Sequence, residues 1–337
     1  MDLELLWFCL IAILWAGYFL LEGFDFGVGM LLPFLPRGEE DRKAMLNTIG
    51  PVWDGNEVWL IVAGGATFAA FPAWYATMFS GFYVALLLVL CFLIIRVVSF
   101  EWRSKSESSG WRSLWTWANA IGSAGASLVW GVGLSCLVSG VPIDSDGDYA
   151  GTFWDLFSPY TVFAGLAVVL LFVFHGATFL TLRTVGLLRD RADVVARRLA
   201  LPAAGLAAVF LVWTVVVAMD RNDKDLFPPV LPAALGIVAL LLALVFLFRG
   251  RNARAFAMTG LGAISVVATL FVSLYPRVMV SSPDFENSLT VDGAASSHYA
   301  LAVMSVVALI FVPVVLAYQG WTYYVFRRRV GGSPELS

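Results

Sequence analysis

Nine apolar runs of about twenty residues, separated by loops too short to fold alone, constrain this chain more than any other feature. They fall at approximately 5–31, 52–72, 74–98, 115–138, 159–183, 199–219, 229–248, 256–275 and 299–325. A run of that length matches the hydrocarbon thickness of a bilayer at the helical rise, so each reads as a membrane span. Backbone polar groups in lipid must be satisfied within the segment, which makes the spans helices. The composition agrees, with 60% hydrophobic and 13% charged residues, where a soluble domain carries roughly 25% charged. The fold class expected is an all-α integral membrane protein of nine transmembrane helices, forming one domain over 1–337. Two four-helix bundles plus one helix are a natural division of the nine.

Basic residues give the orientation. Of the 21 lysines and arginines, Arg221, Lys224 and Arg277 alone fall on one side, and the other eighteen fall on the opposite side. The N-terminus is therefore expected outside and the C-terminus in the cytoplasm. The N-terminal residues Met1-Asp2-Leu3-Glu4 lack a basic region and a cleavage site, so the first run reads as a retained span. Cys9, Cys91 and Cys136 lie in apolar stretches without a CxxC pair and read as small buried hydrophobes. The longer outer loops lie near 139–158 and 276–298. The first contains Asp144-Ser145-Asp146-Gly147-Asp148, which opens like a calcium loop but puts Tyr149 where such a loop needs glycine. A solvated acidic loop is the better reading; the second outer loop is polar enough to form a cap.

Charge within the spans is rare and concentrated. Trp15, Tyr18, Glu22 and Asp25 form a polar stripe on one face of the first span. Trp53-Asp54-Gly55-Asn56-Glu57 opens the second, with Asp54 and Glu57 on adjoining parts of one face. Arg96 follows the apolar end of the third. Counted along the helices, Glu22, Asp25, Asp54, Glu57 and Arg96 fall in one cytoplasmic layer, four acids and one cation. Burial and like charge both oppose full ionisation of such a set, so at least one carboxyl is expected to hold a proton near neutrality, which suits a proton relay. The competing expectation is that these groups sit at the headgroup boundary, with Arg96 reaching outward. The two histidines, His175 and His298, lie toward opposite sides of the membrane and cannot share a haem iron. With so few thiols, neither a bound metal nor an iron–sulfur cluster is expected.

Several motifs resemble those of one family: Gly23-Phe24-Asp25-Phe26-Gly27-Val28-Gly29-Met30, Pro51-Val52-Trp53-Asp54-Gly55-Asn56-Glu57-Val58-Trp59-Leu60, Ala63-Gly64-Gly65-Ala66 and Phe79-Ser80-Gly81-Phe82-Tyr83. Phe100-Glu101-Trp102-Arg103-Ser104-Lys105, Gly176-Ala177-Thr178, Arg183-Thr184-Val185-Gly186 and Asn287-Ser288-Leu289-Thr290 extend the match along the chain. Together they resemble subunit II of the cytochrome bd-type quinol oxidases. The resemblance implies a heterodimeric terminal oxidase of the bacterial plasma (inner) membrane that oxidises quinol and reduces oxygen to water. Subunit I, the partner, would carry the two b-type haems, haem d and the quinol-oxidising loop. This chain would bind no haem, stabilise its partner and contribute to a cytoplasmic proton-uptake path. Asp54 and Asp25 match the family's motif aspartates; Glu22 and Glu57 join that path by depth and spacing, with Trp53, Asn56 and Arg96 in support. A structural quinone or lipid and small single-span accessory subunits also come with the resemblance, and no nucleic-acid partner does. The alternatives are a proton-coupled secondary transporter, which should place charge near the midplane, and a purely structural membrane subunit.

Overall fold

A computed structural model describes residues 2–331; the two chain ends whose sides of the membrane the sequence assigns lie, at Met1 and 332–337, outside them. Among the described residues the regular structure is helical apart from one two-stranded ribbon. In order come α1 (Leu3–Leu31), α2 (Glu39–Ile49), α3 (Trp53–Ala70), α4 (Pro72–Gly81), α5 (Tyr83–Trp102), α6 (Ser109–Ser139), α7 (Pro159–Arg183) and α8 (Gly186–Arg221). Then follow α9 (Val230–Phe248), α10 (Asn252–Leu274), strands β1 (Arg277–Met279) and β2 (Leu289–Thr290), α11 (Val291–Ala294) and α12 (His298–Val325). Among the described residues, eight helices are long and apolar enough to cross a membrane: α1, α5, α6, α7, α8, α9, α10 and α12. The helix expected at 52–72 is present as α3, but its polar opening turn keeps it out of that set.

Two boundaries differ from those of the apolar runs. The run at 74–98 is not one helix. It divides at Phe82 into α4 and α5, because Tyr149 of the outer loop presses on Gly81 so closely that a Cβ there would lie 2.4 Å from its ring. Thr77 also donates a hydrogen bond to the Gly147 carbonyl at 2.6 Å, tying α4 to the same loop. The run at 199–219 is the membrane part of a longer helix. α8 begins at Gly186, and Ala192, Ala196, Ala200, Ala203 and Ala207 give it a buried small-residue face. The chain turns between α3 and α4 at Phe71, where Pro72 forbids the preceding residue a helical conformation.

α1 is the central helix, packed by α3, α6, α7 and α10. Its crossing with α7 is a backbone contact: a Cβ on Gly27 would stand 2.0 Å from the Phe172 carbonyl oxygen, and one on Gly176 would stand 2.5 Å from Gly27. Only glycine at both positions permits this approach. α2 lays Ala44, Met45 and Ile49 against Leu31, Leu32 and Leu188 beneath α1, α7 and α8. The two longer loops, near 139–158 and 276–298, pack together. Val141 and Val280 exchange backbone hydrogen bonds with the other's segment, and Ser281 and Asn287 both donate to the Ile143 carbonyl. In the acidic loop the Asp144 carboxylate accepts the backbone N–H groups of Asp146 and Asp148. Cys136 is buried, but Cys9 and Cys91 face outward, a correction to the buried reading: their helices expose apolar surface there, which lipid covers at no cost.

Candidate functional site

Three helices converge on Arg96, whose side chain is fully buried. α5 delivers the guanidinium, α1 delivers Glu22 and Asp25, and α3 delivers Asn56 and Glu57. Arg96 Nη1 donates a hydrogen bond to Glu57 Oε1 at 2.7 Å. The same nitrogen stands 2.7 Å from Glu22 Oε1, as an ion pair outside hydrogen-bond alignment. The guanidinium also faces the rings of Phe26 at 4.8 Å and Phe100 at 5.4 Å. Glu22 and Asp25 are completely buried, while the Glu57 side chain keeps 20% of its exposure. Neither Glu22 nor Arg96 reaches solvent, so Arg96 does not extend outward, and each lies within the helix packing.

Asp25 has a different partner. Asn56 Nδ2 donates to Asp25 Oδ2 at 2.6 Å, and the amide oxygen of Asn56 accepts from the Tyr323 hydroxyl at 2.7 Å. Gln319 approaches the same oxygen at 3.4 Å and in turn accepts from the Trp59 indole at 2.9 Å. The last helix thus closes the site through Gln319 and Tyr323, two residues that sequence reasoning missed. Their signal was a polar pair four apart inside an otherwise apolar span.

Asp54 lies apart. It is exposed on α3 and has no hydrogen-bond or ion-pair partner among the described residues. The layer inferred from the sequence therefore splits into buried Glu22, Asp25 and Arg96, a partly exposed Glu57 paired with Arg96, and an outward Asp54 one turn from Glu57. Trp53 also leaves the layer, stacking on Phe100 with ring centres 5.4 Å apart. Among the described residues, Glu22 Oε2, Asp25 Oδ1, Arg96 Nε and Nη2 and the Tyr18 hydroxyl have no protein hydrogen-bond partner. Protein interiors leave few buried polar atoms unpartnered, so this cluster stands out from the helix packing around it.

No grouping of three or more His, Cys, Asp or Glu side chains among the described residues could hold a metal ion. His175 is fully buried between α1, α7 and α10 with both ring nitrogens engaged, Nε2 with the Leu20 carbonyl at 3.1 Å and Nδ1 with Thr259 at 2.7 Å. Its ring stacks on Phe256 at 4.7 Å. A ring so occupied fits helix packing and offers no nitrogen to a haem iron, and His298 is exposed at the start of α12.

The model of the family described as cytochrome bd terminal oxidase subunit II matches residues 3–326. The chain belongs to that family. Among its relatives in the subunit II family, the cytochrome bd ubiquinol oxidase subunit 2 of Bacillus subtilis is 43% identical over 337 residues, covering 98% of each chain. The cytochrome bd-I ubiquinol oxidase subunit 2 of Escherichia coli is 38% identical over 360 residues, covering 97% of this chain and 95% of that one. In fold, a chain of the bd oxidase from Geobacillus thermodenitrificans superposes with a TM-score of 0.77 at 17% identity, over 96% of this chain and 97% of that one.

Proposed function

We infer that the chain is the haem-free subunit II of a cytochrome bd-type oxidase that oxidises quinol and reduces oxygen to water, and that it guides protons inward from the cytoplasm. Family membership supports the enzyme class. The observation that carries the proton reading is the continuity from an exposed carboxylate to a buried set: Asp54, then Glu57 one turn away, then Arg96, Glu22 and Asp25. Three carboxylates around one guanidinium leave room for a proton that four matched charges would not. Glu57 is the natural point of transfer, being the member of the set with remaining exposure. Asn56 and Tyr323 orient Asp25 at the inner end.

The partner, subunit I, holds the haems and the quinol site in this reading, and the haems supply the electron transfer and oxygen chemistry there. The chain itself forms a single transmembrane unit of nine spans, counting α3, with its N-terminus outside in the bacterial plasma membrane. The basic-residue asymmetry supports that orientation. We place α1, α3, α5 and α6 in one group of helices, α7 to α10 in another and α12 as the ninth helix, with α1 packed against members of both groups. A structural quinone or lipid, or a small single-span accessory subunit, is compatible with the apolar outer faces.

Asp54→Asn tests the proton reading. Since Asp54 has no partner in the fold, the variant complex should assemble with normal haem b and d difference spectra while its quinol-driven oxygen consumption slows. Loss of the haem bands together with activity would assign Asp54 a structural role instead. Unchanged consumption across the pH range would remove it from the path.

A further inference from the structure

A cleft of about 310 Å³ opens between the α1–α2 connection and the beginning of α6, away from the carboxylate cluster. Arg42, Arg103 and Arg112 line it together with the hydroxyls of Ser109, Ser113 and Thr116. Arg103 is nearly buried and anchored: its Nε donates to Thr116 Oγ1 at 2.9 Å and its Nη2 pairs with Glu39. Arg42 has no side-chain partner among the described residues, and Arg112 uses only Nε, on the Ser106 carbonyl at 3.1 Å. With Glu39 already paired, Glu107 is the remaining acid against two uncommitted guanidinium groups. Thr116 already donates to the Arg112 carbonyl at 2.7 Å, so the cleft is a cationic one with Ser109 and Ser113 as its hydroxyl donors, the composition that binds a phosphate diester.

At its edge stands Trp117, which also lines a second opening, an apolar groove of about 470 Å³ between α1, α6, α7 and α8. Phe34, Ile121, Ala124, Val195 and Leu199 form its walls. Trp117 is 46% exposed, and its ring meets Phe34 edge-on at 5.4 Å. An indole at the junction of a charged cleft and an apolar groove sits where tryptophan anchors a membrane interface. We propose that cleft and groove together bind one anionic phospholipid, its phosphodiester between Arg42 and Arg112 and an acyl chain in the groove past Trp117. Charge complementarity selects the headgroup, and the continuity of the two openings through one side chain selects a lipid over a free anion. Basic pockets between membrane helices recognise anionic headgroups in this manner, each arginine adding a modest attraction.

The test uses the purified complex with its partner subunit, stripped of lipid in neutral detergent. Phosphatidylglycerol, phosphatidylcholine and inorganic phosphate are titrated separately, with binding read by native mass spectrometry and by the thermal midpoint. Phosphatidylglycerol should bind and raise the midpoint, and Arg42→Gln with Arg112→Gln should weaken it on the order of thirtyfold. Ala124→Phe, which fills the groove and leaves the arginines, should weaken it too, whereas Arg42→Lys with Arg112→Lys should restore much of the binding. Haem content reports assembly for every variant. Equal binding of phosphatidylcholine, retention of phosphatidylglycerol by the double glutamine variant, or stabilisation by inorganic phosphate through the same arginines would each overturn the proposal.

Discussion

Replacing Arg96 by methionine removes the single cation that two carboxylates share. Glu57 is 2.7 Å from Nη1 and Glu22 is 2.7 Å from the same atom, so neither acid has another basic partner to turn to. Breaking a buried ion pair from one side costs about 3–5 kcal/mol, because a charge is left without compensation. The guanidinium contacts with Phe26 and Phe100 add about 0.5–2 kcal/mol that methionine recovers only partly. Arg96→Met should therefore destabilise the complex by about 4 kcal/mol. Adding Glu22→Gln and Glu57→Gln to the same chain should recover most of it, to within about 1 kcal/mol of the parent, since the two acids paired with the guanidinium then need no counter-charge. The assay is denaturant unfolding of the purified complex at fixed detergent. Arg197→Met serves as reference, because the Arg197–Asp193 pair is about a third exposed and worth at most about 1 kcal/mol. If Arg96→Met costs no more than the reference, or the triple variant is as unstable as the single one, the cluster is solvated and the reasoning fails.

Gly176→Ala should disrupt the α1–α7 crossing, costing about 1–3 kcal/mol or more through overpacking, while Gly64→Ala, with nothing within 4 Å of the added carbon, should leave the unfolding midpoint near the parent's. Tyr323→Phe removes the hydroxyl that Asn56 accepts. It should cost about 0.5–1.5 kcal/mol and speed hydrogen exchange of α12 amides in detergent. Burial pushes the Asp41 carboxyl up, but the Arg37 backbone N–H and the Arg191 guanidinium outweigh it and hold the acid below its ordinary range. A depressed carboxyl adds stability above its unfolded value, about 3.9, and loses it as pH falls through the folded one. Asp41→Asn should thus lower the thermal midpoint at pH 7, and the difference from the parent should vanish in acid below the folded value.

The helices were legible because twenty apolar residues in a row have few other uses. Hydropathy could not show the division at Phe82, since α4 and α5 are apolar on both sides of it and the cause is Tyr149, some seventy residues away. Nor could it show the extension of α8 back to Gly186, whose polar residues hide a buried alanine face. At the site, depth counting placed Glu22, Glu57 and Arg96 at one height, and height along a helix is what a sequence encodes well. Azimuth is encoded poorly. Asp54 and Glu57 are neighbours on α3, yet one faces out and the other faces Arg96, because the packing of α1 decides which edge of α3 is covered. Gln319 and Tyr323 stand out in sequence only as a polar pair four apart, and their partner Asn56 does not show there because α12 meets α3 only in the folded chain.

α12 has one buried residue, Leu301, in twenty-eight, and docks chiefly on α1 and α3. Lipid tails solvate its apolar surface as well as protein would, so no hydrophobic force draws it in. What fastens it is a short set of polar links: the Trp7 indole to the Leu301 carbonyl and Ser305, the Trp59 indole to Gln319, and Tyr323 to Asn56. Synthesis proceeds from the N-terminus, so α12 leaves the ribosome after both α1 and α3. The surroundings of Asp25 are accordingly completed only after α1 and α3 are made, and a nascent chain stalled before α12 would leave Asn56 without its tyrosine.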